Sequence, residues 1–92
     1  MSDRRSKILI FRDMLRTIQR KDGKAKPTHI LYGANLSHDR LKNYLGKLME
    51  DGFIEKKIEN GHSYYIITIK GREFLSGFKK IQEFSEAFGI DI

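Results

Sequence analysis

The dipeptide Asn60-Gly61 stands between two segments rich in β-branched and aromatic residues, and it constrains the fold more than any other feature of the sequence. Both central residues of a type I′ turn need a positive φ, which asparagine and glycine adopt at low cost. The flanking segments therefore predict an antiparallel β-hairpin over about residues 53–67. The hairpin pattern does not predict the secondary structure of the residues before and after it.

Three helices are predicted before the hairpin, at about residues 6–20, 29–34 and 38–50, from apolar residues at helical spacing. Pro27-Thr28 opens the second helix, with either Thr28 as the cap or Pro27 at the first helical position. Ser37 is the predicted N-cap of the third helix, and Gly52 the left-handed residue after it. Residues 24–27 are interpreted as a short basic connector. Two helices about three residues apart predict a helix-turn-helix.

A long C-terminal helix is predicted to open at Thr68 or Lys70-Gly71 and to reach about Phe88. Its seam has alternating spacings of four and three and is formed by Phe74, Phe78, Ile81, Ser85 and Phe88. The predicted fold class is mostly α with a small β-hairpin (α+β). Residues 1–69 are expected to form a helix-turn-helix domain, with the third helix over 38–50 and the hairpin over 53–67. Residues 70–92 are expected to form a dimerisation helix.

The charge of the chain favours a polyanionic partner. The sequence has 18 basic and 12 acidic residues, for a net charge of +6, and the excess lies in residues 1–36. There is no cysteine, no apolar run near the ~18 residues of a membrane span, and no secretory signal at the N-terminus. We therefore expect a cytoplasmic protein with no membrane partner.

The stretch from Asn35-Leu36-Ser37 to Ile54, followed by Thr68 and Lys70-Gly71-Arg72, resembles the small archaeal winged helix-turn-helix DNA-binding proteins and transcriptional regulators. The resemblance covers about residues 6–88. It implies a winged-helix fold, double-stranded DNA as the partner, and a homodimer joined through its C-terminal helices. Members of that family include both site-specific regulators and chromatin-like proteins.

The polar side of the third helix supplies most of the candidate DNA contacts. Arg40 has the forked donors that suit guanine, and Asn43 the amide that suits adenine. Lysines on the same helix and in the hairpin suit phosphates, as do the exposed N–H groups where helices two and three begin. The predicted DNA-binding residues are Thr28, Ser37, His38, Arg40, Lys42, Asn43, Lys47, Lys57 and His62.

An apolar seam on the last helix and the broad apolar face of helix one predict a twofold dimer, since one small domain was expected to leave both exposed. In this interpretation the last helix of each chain crosses helix one of the other. The predicted interface residues are Ile10, Met14, Phe74, Phe78, Ile81, Phe84 and Phe88.

No catalytic motif is visible, so an enzyme is the least favoured class, and no cofactor or metal is expected. The three histidines, His29, His38 and His62, lie on separate elements without ligand spacing. Three functions remain open at this point: a repressor-like regulator, a sequence-nonspecific architectural protein, and a winged helix used as a protein-interaction module.

Overall fold

The computed structural model describes residues 5–90 of the chain. Its three strands form one antiparallel sheet in the order β1-β3-β2. This architecture confirms the predicted fold class, in which helices predominate and a small hairpin follows the third of them. The elements in chain order are α1 (Lys7–Arg20), β1 (Lys24–Ala25), α2 (Pro27–Gly33), α3 (His38–Glu50), β2 (Ile54–Glu59), β3 (His62–Ile67) and α4 (Ile69–Ala87).

Hydroxyl caps set where α1, α3 and α4 begin. The Ser37 hydroxyl accepts a hydrogen bond from the Arg40 amide at 3.3 Å, as its predicted N-cap role requires. Thr68 caps α4 by accepting from the Gly71 amide at 3.1 Å, and its hydroxyl donates to the Gly52 carbonyl at 2.6 Å. The start of α4 is thereby tied to the end of α3.

The hairpin is confirmed in its turn geometry. Asn60 and Gly61 have φ values of 50° and 77°, both positive, as a type I′ turn needs. Glu59 pairs with His62 across the turn, and the ladder continues to Ile54 opposite Ile67.

The basic connector predicted at residues 24–27 is corrected by the structure, because its first two residues form β1. Lys24 pairs with Ile66 and Ala25 with Tyr65, and the Ala25 side chain is buried beside β3. A strand of two residues is too short to show the alternation that identifies strands in a sequence.

The core lies between α1, α2, α3 and the inner face of the sheet. Helix α4 packs along α1 in the antiparallel sense, since Leu9 shares a groove with Ser85 and Ile90 while Gln19 shares another with Leu75. The first turn of α4 packs closely against the rest of the domain. The fully buried large side chains are Ile10, Met14, Leu15, Ile18, Ile30, Leu48 and Ile54.

Three of the predicted dimer contacts are wrong, because the chain buries them itself. Ile10 and Met14 are 1% and 0% exposed, and Phe78 is 5% exposed beneath the Arg12 guanidinium. Phe74 is half-buried against Phe53. Helices α1 and α4 of one chain thus bury each other's apolar residues, whereas the sequence predicts that a second chain buries them.

The exposed part of the predicted seam is the remainder of α4. Ile81, Phe84 and Phe88 are 56%, 62% and 66% exposed. No helix in residues 5–90 is long and apolar enough to cross a membrane.

Candidate nucleic-acid interface

The polar side of α3 faces outward as a shallow open groove. The opposite side of the helix carries Leu41, Leu45 and Leu48, all buried in the core. Since these leucines are three and four residues apart, they share one face of α3, and Lys42, Asn43 and Gly46 are turned away from the core. The groove is lined by Asp39, Lys42, Asn43, Gly46, Lys47 and Glu50.

One edge of α3 packs against α1. Tyr44 packs edge-on against the Phe11 ring, with centroids 5.9 Å apart and planes at 86°. Lys47 is half-buried, and its Nζ lies 5.8 Å from the centroid of the Tyr44 ring. The aliphatic part of Lys47 is therefore partly covered while the residue still lines the groove.

Arg40 differs from the outward position expected for it. The residue is half-buried, and its Nη1 atom is buried within the protein. Arg40 precedes Tyr44 by one helical turn and so lies on the same edge of α3, toward the body. A fork on guanine needs both terminal nitrogens, so this contact requires the Arg40 side chain to turn outward.

Gly46 lies at the middle of the groove. A Cβ built on it would meet nothing within 4 Å, so the chain's own packing does not require a glycine there. A glycine inside a helix costs about 1 kcal/mol relative to alanine. Its presence on the outward face leaves room for another backbone to approach closely.

The two helix starts that were expected to bind phosphate differ in their capping. At α2, Pro27 is the first helical residue, and Lys26 at the N-cap makes no side-chain capping bond. Of the two predicted starts of α2, proline at the first helical position is therefore the one observed. Thr28 is exposed in the first turn and is not the cap. At α3, Ser37 and His38 are both exposed, and the Ser37 hydroxyl is engaged in capping.

The wing, which is the hairpin of β2 and β3, takes part in an ion pair that the sequence does not predict. Lys24 Nζ donates a 2.8 Å hydrogen bond to Glu59 Oε1 and lies 4.8 Å from the Tyr64 ring centroid. This bond lowers the pKa of the Glu59 carboxyl and raises the pKa of the Lys24 ammonium, and desolvation acts in the opposite direction on both. Lys57 is exposed 3.9 Å from the same carboxylate. One acidic residue thus offsets two lysines near the wing tip.

Lys56, which is not among the predicted contacts, is a further exposed lysine of β2. It alternates with Lys57 along β2 and is exposed on the face that Ile54 and Ile58 share. The period of two along β2 was visible in the sequence and could have separated the two lysines by face.

The structure groups three of the nine predicted contacts, Lys42, Asn43 and Lys47, in the α3 groove. Arg40, Ser37 and His38 lie elsewhere on or beside the same helix, Thr28 lies on α2, and Lys57 and His62 are exposed on the hairpin. Within residues 5–90, no three His, Asp or Glu side chains come together in an arrangement that could hold a metal ion.

Comparison with known proteins gives a consistent result. The sequence model of the winged helix-turn-helix family matches residues 4–86. An uncharacterised protein of Methanocaldococcus jannaschii is 35% identical over 82 residues, which are 89% of this chain and 35% of that protein. The chain therefore spans about a third of the length of this archaeal relative.

Solved structures with the same fold include two that are described by function. Sso10a-2, a DNA-binding protein from Sulfolobus solfataricus, superposes with a TM-score of 0.79 at 27% identity, covering 91% of this chain and 85% of that one. MepR, a transcription regulator of a Staphylococcus aureus multidrug efflux pump, has a TM-score of 0.77 at 14% identity, covering 86% and 60%. The first of these proteins is described as DNA-binding and the second as a transcription regulator.

Proposed function

The chain belongs to the winged helix-turn-helix family, and from that premise we propose that it binds double-stranded DNA as a dimeric, repressor-like transcription regulator. The observation that carries the proposal is the outward, unobstructed polar groove of α3. In a helix-turn-helix the second helix enters the major groove and reads base edges there. A cytoplasmic location on the nucleoid follows from the same proposal.

Within the α3 groove, we assign base contact to Asn43 and phosphate contact to Lys42 and Lys47. Asn43 is exposed at the centre of the helix, where a carboxamide can form two hydrogen bonds to adenine. The lysines flank it and provide positive charge without base preference.

Other elements supply the remaining proposed contacts. Arg40 joins the base contacts if its side chain turns outward. Ser37, His38 and the exposed Thr28 lie near helix starts, where amides attract phosphate. On the wing, Lys57 and His62 are exposed and able to reach the flanking backbone.

The proposed dimer uses the exposed half of α4. Ile81, Phe84 and Phe88 form an apolar strip in which the two phenylalanine rings are 4.7 Å apart. Gly77 lies on the same side one turn earlier, and a Cβ there would meet nothing within 4 Å. A glycine beside exposed apolar residues lets a second helix approach closely, and a twofold axis then covers both strips.

The test is titration of DNA by fluorescence anisotropy at several salt concentrations, first with a random duplex and then with duplexes selected from a random pool. Binding that weakens steeply with salt supports contact with DNA phosphates. The double variant Lys42→Ala/Asn43→Ala is expected to lose most of the affinity for the selected duplex. The exposed Lys80→Ala, outside the α3 groove, serves as the control.

Two alternatives are outcomes of the same experiment. Equal affinity for selected and random duplexes indicates an architectural protein rather than a regulator. Absence of binding to any duplex at low salt contradicts the proposal and indicates a protein-interaction module.

A further inference from the structure

Most of the positive charge of this protein lies away from α3. Helix α3 contains three basic and two acidic residues, whereas residues 16–26 contain five basic residues and one acidic residue. We propose that the outer face of α1 is a second phosphate-binding surface, which holds a DNA segment other than the one on α3. This inference rests on the proposed function, since it takes α3 to bind the first segment. We call this face, formed by Arg16, Arg20 and Lys21, the α1 surface.

The cations of the α1 surface are exposed and have no ionic partner among residues 5–90. The nearby carboxylate of Asp13 is already bound by Arg5 at 2.7 Å and Arg12 at 2.8 Å. Three neighbouring cations that form no ion pair with the described residues make a site at which phosphate displaces small counterions.

Two grooves border the α1 surface, and neither is lined by a carboxylate. The groove toward α4 has a volume of about 320 Å³, and the groove toward α2 about 270 Å³. Their rims carry hydrogen-bond donors, which suits the oxygens of a phosphate backbone. The first is lined by Arg12, Arg16, Gln19, Leu75, Phe78, Lys79 and Gln82, and the second by Thr17, Arg20, Lys21, His29, Tyr32 and Gly33.

The α1 surface points away from α3. Phe11 is the residue of α1 that contacts Tyr44 of α3. At 3.6 residues per turn, Arg16 and Arg20 lie about 140° and 180° around α1 from Phe11. A duplex seated on α3 therefore lies on the far side of the domain from these arginines, and they need a separate DNA segment.

The proposed dimer leaves the α1 surface open. Lys79, at the border of this surface, lies about 140° around α4 from Phe84. A partner helix that covers the apolar strip of Ile81, Phe84 and Phe88 thus stays clear of the grooves along α1.

DNA fits the α1 surface better than the other anionic candidate, the C-terminal part of α4 from a second copy. That segment carries Glu83 and Glu86 and no basic residue after Lys80. A docked helix needs apolar area to bury, yet Phe78 at the floor of the first groove is already buried in its own chain. A phosphate backbone needs only the exposed donors.

The experiment measures the salt dependence of binding to a random duplex in the variant Lys42→Gln/Lys47→Gln, whose α3 groove has lost two lysines. Adding Arg16→Gln/Arg20→Gln is expected to lower the slope of log K against log salt by about 1.8, since each neutralised phosphate contributes about 0.9. The matched control adds Lys7→Gln/Lys80→Gln, which removes two exposed cations outside the α1 surface and is expected to leave the slope within about 0.5.

An unchanged slope on adding Arg16→Gln/Arg20→Gln overturns the second surface. If Lys42→Gln/Lys47→Gln itself weakens binding at the same time, the proposed role of α3 stands, so the two failures are distinguishable. Light scattering without DNA tests the other occupant. If Arg16→Gln/Arg20→Gln lowers the mass from dimer to monomer, the surface binds a second copy and the inference is wrong.

Discussion

Asn43 is the exposed residue of α3 whose side chain best suits a base edge. We expect Asn43→Ala to lower affinity for the selected duplex by about 1–3 kcal/mol and to relax preference at one base position. Lys42→Ala is the matched comparison, because loss of a phosphate contact weakens all duplexes alike. Anisotropy on duplexes with single base changes measures both effects. Uniform weakening by Asn43→Ala would show that this residue reads no base.

Gly46 offers a test in which stability and binding move in opposite directions. Because a Cβ at this position meets nothing within 4 Å, Gly46→Ala is expected to stabilise the fold by about 1 kcal/mol. The added methyl group lies in the α3 groove, so affinity for DNA is expected to fall. Ser76→Ala, at an exposed position of α4 outside the apolar strip, is the control and should leave DNA affinity unchanged. Unchanged DNA affinity in Gly46→Ala would remove the argument for close backbone approach. Urea denaturation and anisotropy supply the two readouts.

Tyr65 links the sheet to alkaline stability. Burial raises the pKa of the Tyr65 phenol above its ordinary value of 10.0. The unfolded chain therefore releases this proton first, and the free energy of unfolding should fall as pH rises from 10 through the folded pKa. Tyr65→Phe is expected to lose this part of the decline. Urea denaturation between pH 8 and 11 measures it, and parallel declines in wild type and Tyr65→Phe would contradict the assignment.

At this scale the sequence predicts which side of α3 is polar, and it fails where a long side chain has two possible directions. Leucines at helical spacing placed Asn43 and Lys42 outward, where the structure has them. Arg40 and Lys47 lie on the boundary of that face, and their burial depends on Phe11 and Tyr44 meeting between α1 and α3. Such a contact between distant residues leaves no periodic signal in either helix.

At the scale of elements, the wing is tied to β1 by the Lys24–Glu59 pair, which joins residues 35 positions apart. The Glu59 pKa is lowered in the fold, so this interaction is present above the ordinary value of 4.5 and is lost as pH falls through the folded pKa. We expect Glu59→Gln to increase amide hydrogen exchange at His62, which pairs with position 59 across the turn. Glu55→Gln, an exposed carboxylate on the same strand, is the control. Equal exchange in both variants would show that the pair does not restrain the wing.

Elements that depend on local chemistry were predictable, and the one that depends on a distant partner was not. The Asn60-Gly61 turn and the Ser37 and Thr68 caps each act within a few residues, so the sequence carries their full signal. Strand β1 exists only because β3 lies beside it, about 40 residues later along the chain.

At the scale of the whole molecule, the packing of α1 on α4 decides which apolar residues remain for a partner. The sequence correctly indicates more apolar surface than one small core needs, but it cannot divide that surface between contacts within and between chains. In the structure, the boundary between apolar surface buried within the chain and apolar surface left exposed lies between Phe78, which is buried, and Ile81, which is 56% exposed. The proposed dimer therefore depends on the last two turns of α4.

Phe84→Glu/Phe88→Glu tests that dimer without disturbing the core, since both rings are exposed in the single chain. We expect the variant to remain folded by circular dichroism and to scatter light as a monomer, because paired helices would have to bury four unpaired carboxylates. Ile69→Glu is the control. Its side chain is 78% exposed on the same helix but lies about 22 Å along the axis from Phe84, and this variant should stay dimeric.

The same pair of variants connects the dimer to DNA reading. A monomer engages one half-site at a time and loses the gain in effective concentration that the second half-site provides. Affinity for a selected palindrome should therefore fall by about 10²-fold or more in Phe84→Glu/Phe88→Glu, whereas affinity for a single half-site should change little. A monomeric variant that binds the palindrome as tightly as the wild type would separate dimerisation from recognition, and α3 would then read DNA one domain at a time.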